Sequence, residues 1–260
     1  METEPDPPAE EPLFGGLEPG RVVRVGDTVR RPAGPWTPTV HALLRHVRSK
    51  GFPAPEPLGL DDKGREILGF LPGDASNHPW PPALIEVSGA RQIGVLLRAY
   101  HDAVADFSPP LPAVWRHGPQ APAPGEIILH GDFGPHNLIW SGDMLTGVID
   151  FELARPGRPV EDAGFAAIRA AQLRPDAMTR EAGFEEVPDR RARLEAFAEG
   201  YGSSPAELLA QVRPVQEGEL KRIVELGGAG IEPWATFLRL GLATQVETEL
   251  RWLEDNVPRI

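Results

Sequence analysis

The first third of the chain alternates apolar and polar residues, which is the pattern of half-buried β-strands. Residues 21–25 and 28–31 flank a Gly26-Asp27 turn, and residues 56–60 and 66–71 flank a second polar turn. The runs are short, contain valine, isoleucine or leucine, and are separated by turn-forming residues, so each pair predicts two adjacent antiparallel strands. We therefore expect this third of the chain to form a small antiparallel sheet.

Helical periodicity separates the two predicted strand pairs and dominates the rest of the chain. Thr37 can cap a helix whose apolar residues recur at helical spacing until Gly51, and the same spacing returns over residues 91–107. A short apolar strand is expected at 127–129, after a proline-rich stretch. Further helices are predicted over 163–173, 190–201, 205–226 with a break at Pro214, and 234–253. This order of elements predicts an α+β fold.

Composition and charge narrow the classes of function. The 260 residues include no cysteine, which excludes disulfide scaffolds, thiolate metal sites and cysteine nucleophiles. Lys and Arg number 26 against 38 Asp and Glu, a net charge of −12, and so acidic a chain is not expected to bind nucleic acid. No apolar run approaches the roughly 18 residues of a membrane span, and the acidic, proline-rich start is unlike a signal peptide. We expect a cytoplasmic protein without a membrane partner or an obligate protein partner.

The segment 127–150, IILHGDFGPHNLIWSGDMLTGVID, carries the candidate chemistry. Its two apolar runs on either side of Ser141-Gly142-Asp143 predict a hairpin. Asn137 precedes the first strand and Asp150 follows the second, so the hairpin should bring an amide oxygen and a carboxylate together. Hard oxygen ligands of this kind suit Mg²⁺. Asp132 precedes Asn137 on a glycine-containing loop, where it can lie near a metal without ligating it.

This arrangement fits phosphoryl transfer, in which one Asp accepts the proton of a substrate hydroxyl while an Asn and a second Asp hold Mg²⁺ on nucleotide phosphates. The segment resembles the aminoglycoside phosphotransferase and choline-kinase-like family, relatives of the protein kinases. The matching residues are His130-Gly131-Asp132, Asn137, Ile149-Asp150-Phe151-Glu152, Pro159 and Asp162. The resemblance implies that Asp132 is the catalytic base and that Asn137 and Asp150 bind Mg²⁺. It also implies that Asp162 braces the catalytic loop.

The same resemblance implies a bilobal protein-kinase-like fold with a small antiparallel β-rich N-lobe and a larger, mainly helical C-lobe. Residues 1–11 are expected to be a disordered tail, residues 12–73 the nucleotide lobe and residues 74–260 the catalytic and substrate lobe. The implied cofactors are ATP or GTP with Mg²⁺. The implied acceptor is the hydroxyl of a small molecule, aminoglycoside-like or amino-alcohol-like. In the family the linker between the lobes contacts adenine, and by position that linker is residues 70–73, with Leu71 near its middle.

The chain departs from the family pattern in its nucleotide lobe. Kinase-like folds hold the phosphates with a lysine on the third strand and pair that lysine with a helix glutamate. Here the strand offers only Arg30 or Arg31, and the predicted helix contains no glutamate. Neither His41 nor His46 is expected to take its place. The glycine-containing candidate for a phosphate cradle, residues 15–20, is a weak match.

Two alternative functions stay open. A non-catalytic kinase-like binding or immunity protein would explain the missing lysine–glutamate pair. A metal-dependent hydrolase would use His130, Asp132 and His136 as ligands of zinc or iron, in the spacing H-x-D-x₃-H, but it would leave Asn137 and Asp150 without a role. Under the kinase-like interpretation, His130 holds the geometry of the loop rather than moving protons.

Overall fold

A computed structural model describes residues 9–13, 21–75 and 80–257. The N-terminal elements are β1 Glu11–Pro12, β2 Val23–Val25, β3 Thr28–Pro32, α1 Thr37–Ser49, β4 Pro57–Leu60 and β5 Arg65–Gly69. The strands form one antiparallel sheet in the order β1-β2-β3-β5-β4. Both predicted strand pairs are confirmed, and the turn between β2 and β3 uses Gly26 at a φ of 60°. The alternation of apolar and polar residues was therefore a sufficient signal for these two strand pairs, but not for β1 or for the pairing of β3 with β5.

Parts of two predictions fall outside the described residues. These are residues 1–8 of the predicted tail and the glycine-containing candidate cradle at 15–20. Glu11, the last residue of the predicted tail, pairs with Arg24 of β2. That end of the tail is therefore part of the sheet.

Small two- and three-stranded sheets carry the segment with the candidate chemistry. Their strands are β6 Asp74–Ala75, β7 Val114–Trp115, β8 Gly118–Pro119, β9 Ile127–Leu129, β10 Leu138–Ser141, β11 Met144–Val148 and β12 Arg155–Gly157. Strand β10 pairs with β11 on one side and β6 on the other, β9 pairs with β12, and β7 pairs with β8. The hairpin predicted around residues 141–143 is confirmed as β10–β11.

The remainder of the described chain is mostly helical, as the periodicity predicts. The helices are α2 Pro82–Ile85, α3 Val87–Val104, α4 Pro159–Ala170, α5 Asp176–Glu181, α6 Arg190–Tyr201, α7 Pro205–Gly228, α8 Trp234–Arg239 and α9 Leu242–Asn256. Several helix predictions were wrong in detail. Helices α3 and α4 each begin four residues earlier and end three residues earlier than predicted, and the short helices α2 and α5 were not predicted. Helix α7 continues through Pro214, whereas the helix predicted over 234–253 is divided at Gly241, which has a φ of 80°.

Helix α3 forms the centre of the helical part and connects the core to the candidate site. It packs along α6 and also against α4 and β9. Gly94 of α3 and Gly200 of α6 allow the two backbones to approach closely, since a Cβ at either position would lie 2.3 Å from a carbonyl oxygen of the other helix. Tyr100 of α3 is fully buried and donates its hydroxyl hydrogen bond to the Ile128 carbonyl at 3.0 Å. The strand that leads into the candidate catalytic loop is thus tied to the core.

Within the parts of the chain that the structure describes, no helix combines the length and the apolar character needed to cross a lipid bilayer.

Candidate active site

A carboxylate of α4 anchors residues 130–132, which we call the HGD loop. Asp162 accepts hydrogen bonds from the backbone N–H of His130 at 2.7 Å and of Gly131 at 3.1 Å. Gly131 has a φ of 81°, and a Cβ there would lie 2.1 Å from a carbonyl oxygen, so this turn requires glycine. Burial opposes ionisation of Asp162, but the nearby His101 ring and the backbone N–H groups hold its pKa below the usual value. A buried, ionised carboxylate therefore fixes the loop.

Both ring nitrogens of His130 are used within the protein. Nε2–H donates to the Ile149 carbonyl at 3.0 Å, and Nδ1 accepts from the backbone N–H of Asp132 at 3.3 Å. Burial lowers the pKa of His130, which favours the neutral ring that one donor and one acceptor require. Neither nitrogen is left for a metal, and no group of three His, Asp or Glu side chains in the described residues could hold one. The alternative zinc or iron site at His130, Asp132 and His136 is therefore wrong.

Asp132 has one occupied and one available carboxylate oxygen. Its Oδ2 accepts hydrogen bonds from His136 Nε2 at 2.9 Å and from Asn137 Nδ2 at 3.0 Å. Its Oδ1 accepts none from any residue that the structure describes, and the side chain is 23% exposed. Burial favours the neutral acid, but the adjacent His136 lowers the pKa of Asp132 below its usual value. Asp132 is therefore an ionised carboxylate that can accept a further proton or hydrogen bond.

Asn137 is buried and oriented so that its amide oxygen stays available. Its Nδ2 donates to the backbone carbonyl of Asp132 at 2.9 Å as well as to the carboxylate. Its Oδ1 accepts no hydrogen bond from the described part of the chain. The Asn137 carbonyl accepts from the Ile149 N–H at 2.9 Å, which continues the β10–β11 pairing by one step. Asp150 follows directly, so the hairpin brings the two side chains to the same end.

Asp150 has a left-handed backbone, with φ 65° and ψ 64°. Non-glycine residues rarely adopt this conformation, which costs on the order of 1–3 kcal/mol and persists where surrounding contacts fix it. Its Oδ1 accepts a hydrogen bond from Arg31 Nη1 at 2.6 Å, and its side chain is 40% exposed. Its Oδ2 has no hydrogen-bond partner among the described residues. The turn after β11 therefore directs this carboxylate toward β3 while leaving one oxygen available.

Arg31 and Glu66 lie directly opposite each other on β3 and β5. Arg31 Nε donates to Glu66 Oε2, and the other carboxylate oxygen of Glu66 accepts from His41 Nε2 of α1 at 2.9 Å. The helix offers no glutamate, as the sequence predicts, and the arginine instead pairs with a glutamate of the neighbouring strand β5. His41 does not substitute for that glutamate but hydrogen bonds to it.

Of the two arginines predicted to contact phosphate, the structure brings Arg31 to Asp150 and gives Arg30 other partners. Arg30 Nη1 donates to Thr28 Oγ1 at 2.6 Å, and its Nε lies 3.8 Å from Asp61 Oδ2. These partners belong to the sheet and to the turn that follows β4. Arg30 is therefore excluded from the cluster that Arg31 joins.

Leu71 lies in the linker between β5 and β6, and its side chain reaches β11. A Cβ placed on Gly147 would lie 2.9 Å from Leu71 Cδ1. Leu71 therefore packs against the hairpin whose two ends carry Asn137 and Asp150. The absence of a side chain at Gly147 leaves room for it.

Glu152 forms an ion pair that the sequence did not reveal. Its Oε2 lies 2.5 Å from Arg116 Nη1, and the Arg116 guanidinium also covers the Trp36 ring at 4.5 Å. Burial and the charge of Asp150 raise the pKa of Glu152. Arg116 is on the turn between β7 and β8, so this pair connects the segment after Asp150 with the start of α1.

The available oxygens fit a magnesium ion better than a transition metal. Mg²⁺ is usually held by one or two protein oxygens together with phosphates and water. Asn137 Oδ1 and Asp150 Oδ2 are oxygen donors without another partner in the described residues, and both lie where the hairpin ends. These two side chains could therefore hold Mg²⁺ once phosphate supplies further ligands.

Comparison with known proteins finds a relative that matches most of the chain. The model of the phosphotransferase enzyme family, APH, matches residues 98–197. A trifolitoxin immunity protein of Rhizobium leguminosarum bv. trifolii is 36% identical over 188 residues, which are 70% of this chain and 70% of that protein. A homoserine kinase of Granulibacter bethesdensis is 27% identical over 154 residues, 43% of this chain and 46% of the kinase. The match therefore spans less than half of the homoserine kinase.

Solved structures share the fold at low sequence identity. The amicoumacin kinase hAmiN, in complex with AMP-PNP, Ca²⁺ and Ami, superposes with a TM-score of 0.61 at 11% identity, over 95% of this chain and 89% of that one. A choline/ethanolamine kinase family protein from Mesorhizobium loti has a TM-score of 0.55 at 14% identity, over 94% and 92% of the two chains. The family model covers the HGD loop and the hairpin, and one relative is 36% identical across 70% of both chains. This chain therefore belongs to the phosphotransferase enzyme family and has its kinase-like α+β fold.

Proposed function

We propose that the protein transfers the γ-phosphate of ATP or GTP to a hydroxyl of a small molecule and requires Mg²⁺. The observation that carries this proposal is that one loop and the hairpin after it carry three side-chain oxygens without partners in the described residues. They are Asp132 Oδ1, Asn137 Oδ1 and Asp150 Oδ2, and the Arg31 guanidinium contacts the last of these carboxylates. Carboxylate, amide and guanidinium groups grouped in this way are what phosphoryl transfer uses.

Asp132 is the base in this proposal. The hydroxyl of the acceptor gives its proton to Oδ1 of Asp132 as its oxygen bonds to the γ-phosphorus, and the bond from that phosphorus to the β-phosphate oxygen breaks to release ADP or GDP. The lowered pKa of Asp132 means that the carboxylate is ionised before the acceptor arrives. Asn137 and His136 fix its second oxygen, so the first stays directed outward.

The nucleotide is held by the remaining residues. Asn137 and Asp150 hold Mg²⁺, which when bound neutralises charge on the phosphate oxygens. Arg31 contacts the phosphates as a planar, permanently charged fork in place of the lysine of other kinase-like folds. Leu71, in the linker against β11, lies beside the adenine or guanine base. Solved structures that share the fold contain AMP-PNP or GDP, which supports a nucleotide as the phosphate donor.

The acceptor is proposed as a class. The names of relatives include a homoserine kinase, an amicoumacin kinase and a choline/ethanolamine kinase family protein. Homoserine, choline and ethanolamine each contain a hydroxyl and a nitrogen. An aminoglycoside-like or amino-alcohol-like acceptor therefore fits the family best.

Replacing Asp132 by Asn tests the catalytic assignment. Because a positioned base contributes about 10²- to 10⁴-fold to such rates, Asp132→Asn should lower turnover by that factor while the affinity for MgATP stays near that of the wild type. The assay is transfer of radiolabelled γ-phosphate to a panel of aminoglycosides, macrolides and amino alcohols. Asp143→Asn is the matched control, since Asp143 is exposed in the hairpin turn. Equal turnover by the Asp132 variant and the wild type would refute the assignment.

A second candidate is a binding or immunity function without phosphoryl transfer. The name of the trifolitoxin immunity relative favours it, because that protein shares 36% identity over 70% of the chain. The main argument for this candidate was the absence of the lysine–glutamate pair of kinase-like folds. The Arg31–Glu66 ion pair weakens that argument, because it offers a charged pair in place of the lysine and glutamate. Failure of the protein to bind either MgATP or MgGTP would favour this candidate.

A further inference from the structure

Arg31 is held on two edges by two carboxylates. Its Nε donates to Glu66 and its Nη1 donates to Asp150 at 2.6 Å, and its side chain is only 12% exposed. Nη2 donates to no residue in the parts of the chain that the structure describes. When Nε and Nη1 of a guanidinium are both held by carboxylates, the plane of the group is fixed. Glu66 and Asp150 together therefore set the direction in which the Nη2 hydrogens of Arg31 point.

Glu66 is itself fully committed to partners within the protein. Its side chain is 3% exposed, one oxygen accepts from Arg31, and the other accepts from His41 Nε2 at 2.9 Å. Burying a carboxylate is unfavourable unless it is paired and hydrogen bonded. Neither carboxylate oxygen therefore remains for a substrate, and any effect of Glu66 on one must act through Arg31.

We propose that Glu66 is the positioning residue that orients Arg31 toward the nucleotide phosphates, and that His41 orients Glu66. This inference rests on the proposed function. The chain thus forms the arginine–glutamate pair across β3 and β5 and uses α1 to supply a histidine behind the glutamate. The four side chains form one row, from His41 in α1 through Glu66 and Arg31 to Asp150 at the end of the hairpin.

Glu66→Gln is the first test, with calorimetric titration of MgATP and MgGTP as the readout. The amide keeps the size of the side chain and one acceptor oxygen but loses the charge, so it holds the guanidinium less firmly. Loss of a charge-assisted hydrogen bond should weaken nucleotide affinity by about ten- to hundredfold. Glu56→Gln is the control, because Glu56 is exposed and its nearest cationic group is 4.0 Å away. Its affinity should match that of the wild type.

A double-mutant cycle distinguishes positioning from a merely structural role. Arg31→Met should weaken nucleotide binding at least as much as Glu66→Gln, and adding Glu66→Gln to Arg31→Met should cause little further loss. Arg30→Met is the matched control on the same strand and should bind nucleotide normally, since Arg30 contacts Thr28 and Asp61. If the two losses multiplied in full in the double variant, Glu66 would not act through Arg31.

His41→Phe tests the outer end of the row and serves if Glu66→Gln fails to fold. It removes one hydrogen-bond donor and keeps a ring, so affinity should fall by about three- to tenfold. His46→Phe is its control on the same helix, because His46 contacts Ala103 and Asp106 instead. Glu66→Asp, which retains the charge, should lose less affinity than Glu66→Gln.

The outcomes separate this inference from the proposed function. If the wild type binds nucleotide and Glu66→Gln binds it with unchanged affinity, the inference is overturned and the proposed function stands. Unchanged affinity in His41→Phe has the same meaning where Glu66→Gln does not fold. A wild-type protein that binds neither MgATP nor MgGTP would overturn both.

Discussion

At the scale of single residues, His117 shows how strongly its surroundings determine its charge. It lies at the turn between β7 and β8 with its ring 4.5 Å from that of Trp234. Its Nδ1 is buried without a hydrogen-bond partner in the described residues. Burial lowers the pKa of His117 to about 3, and the charges of Arg155, Arg222 and Arg116 add to this effect. The ring therefore stays neutral in the folded protein down to about pH 3.

This environment predicts a specific dependence of stability on pH. In the unfolded chain His117 takes up a proton below its ordinary pKa of about 6.5, whereas the folded chain does not until about pH 3. The unfolded state thus binds more protons as the pH falls, which destabilises the fold by at most about 1.4 kcal/mol per pH unit for this one group. Above pH 7 both states are neutral and the contribution is constant.

His117→Gln should remove that dependence. Denaturant unfolding of wild type and variant between pH 7.5 and pH 5 should give a difference in free energy of unfolding that is constant near pH 7.5. The difference should shift in favour of the variant at lower pH. A difference that stays flat over the whole range would show that His117 is not held neutral.

At the scale of elements, the packing of α3 on α6 depends on two glycines. A Cβ at Gly94 would lie 2.3 Å from the Phe197 carbonyl oxygen, and one at Gly200 would lie 2.3 Å from the Arg91 carbonyl oxygen. Because these atoms belong to backbone, a methyl group cannot be accommodated by rotation of a side chain. The two helices would have to separate. Helix α3 also holds β9 through the Tyr100 hydrogen bond, and β9 leads into the HGD loop. A change in the distance between α3 and α6 would therefore affect the position of that loop.

We expect Gly94→Ala to lower the free energy of unfolding by about 1–3 kcal/mol, as overpacking does. Gly218→Ala is the matched control within helix α7, because the nearest atom to a Cβ there is the end of the Arg222 side chain at 3.7 Å. Alanine is the better helix former by about 1 kcal/mol, so this control should match or exceed the wild type. Thermal and denaturant melts measure both. Equal stability of the two variants would contradict the packing argument.

How much of the molecule can be predicted from the sequence depends on how local each interaction is. Asp132, Asn137 and Asp150 lie within one hairpin and its preceding loop, so their spacing was enough to predict that Asp132 lies near Asn137 and that Asp150 follows the paired strand at the same end. Glu66 was not predicted, because kinase-like folds take this glutamate from a helix, whereas here the partner of Arg31 lies on the adjacent strand β5. Only the register of β3 against β5 reveals this pair. Arg31 and Glu66 lie in different predicted strand pairs, so the sequence pattern did not place them opposite each other.

Helix boundaries failed for a related reason. Pro214 is exposed on α7 while its neighbours Val212, Val215 and Gln216 are buried, so packing holds the helix through a residue that removes one backbone hydrogen bond. In the 234–253 segment, apolar periodicity concealed the interruption at Gly241. Tertiary packing decides the first case and a left-handed glycine the second, and apolar periodicity includes neither.

At the scale of the whole molecule, charged side chains connect the N-terminal sheet and α1 to the segment that carries the chemistry. Arg31 of β3 reaches Asp150, and Arg116 joins Glu152 to the ring of Trp36. The proposed phosphate and metal contacts therefore share one charged row that crosses from the sheet to the hairpin. A ligand bearing several phosphates would engage both sides of it.

The most direct test of the central claim is calorimetric titration of the protein with AMP-PNP and with a non-hydrolysable GTP analogue, in Mg²⁺ and again in EDTA. We predict binding of at least one analogue in Mg²⁺, loss of most of that affinity in EDTA, and the same loss in Mg²⁺ for Asp150→Asn but not for Asp143→Asn. Binding that is equally strong in EDTA, or equally strong in Asp150→Asn, would contradict the account, as would no binding of either analogue.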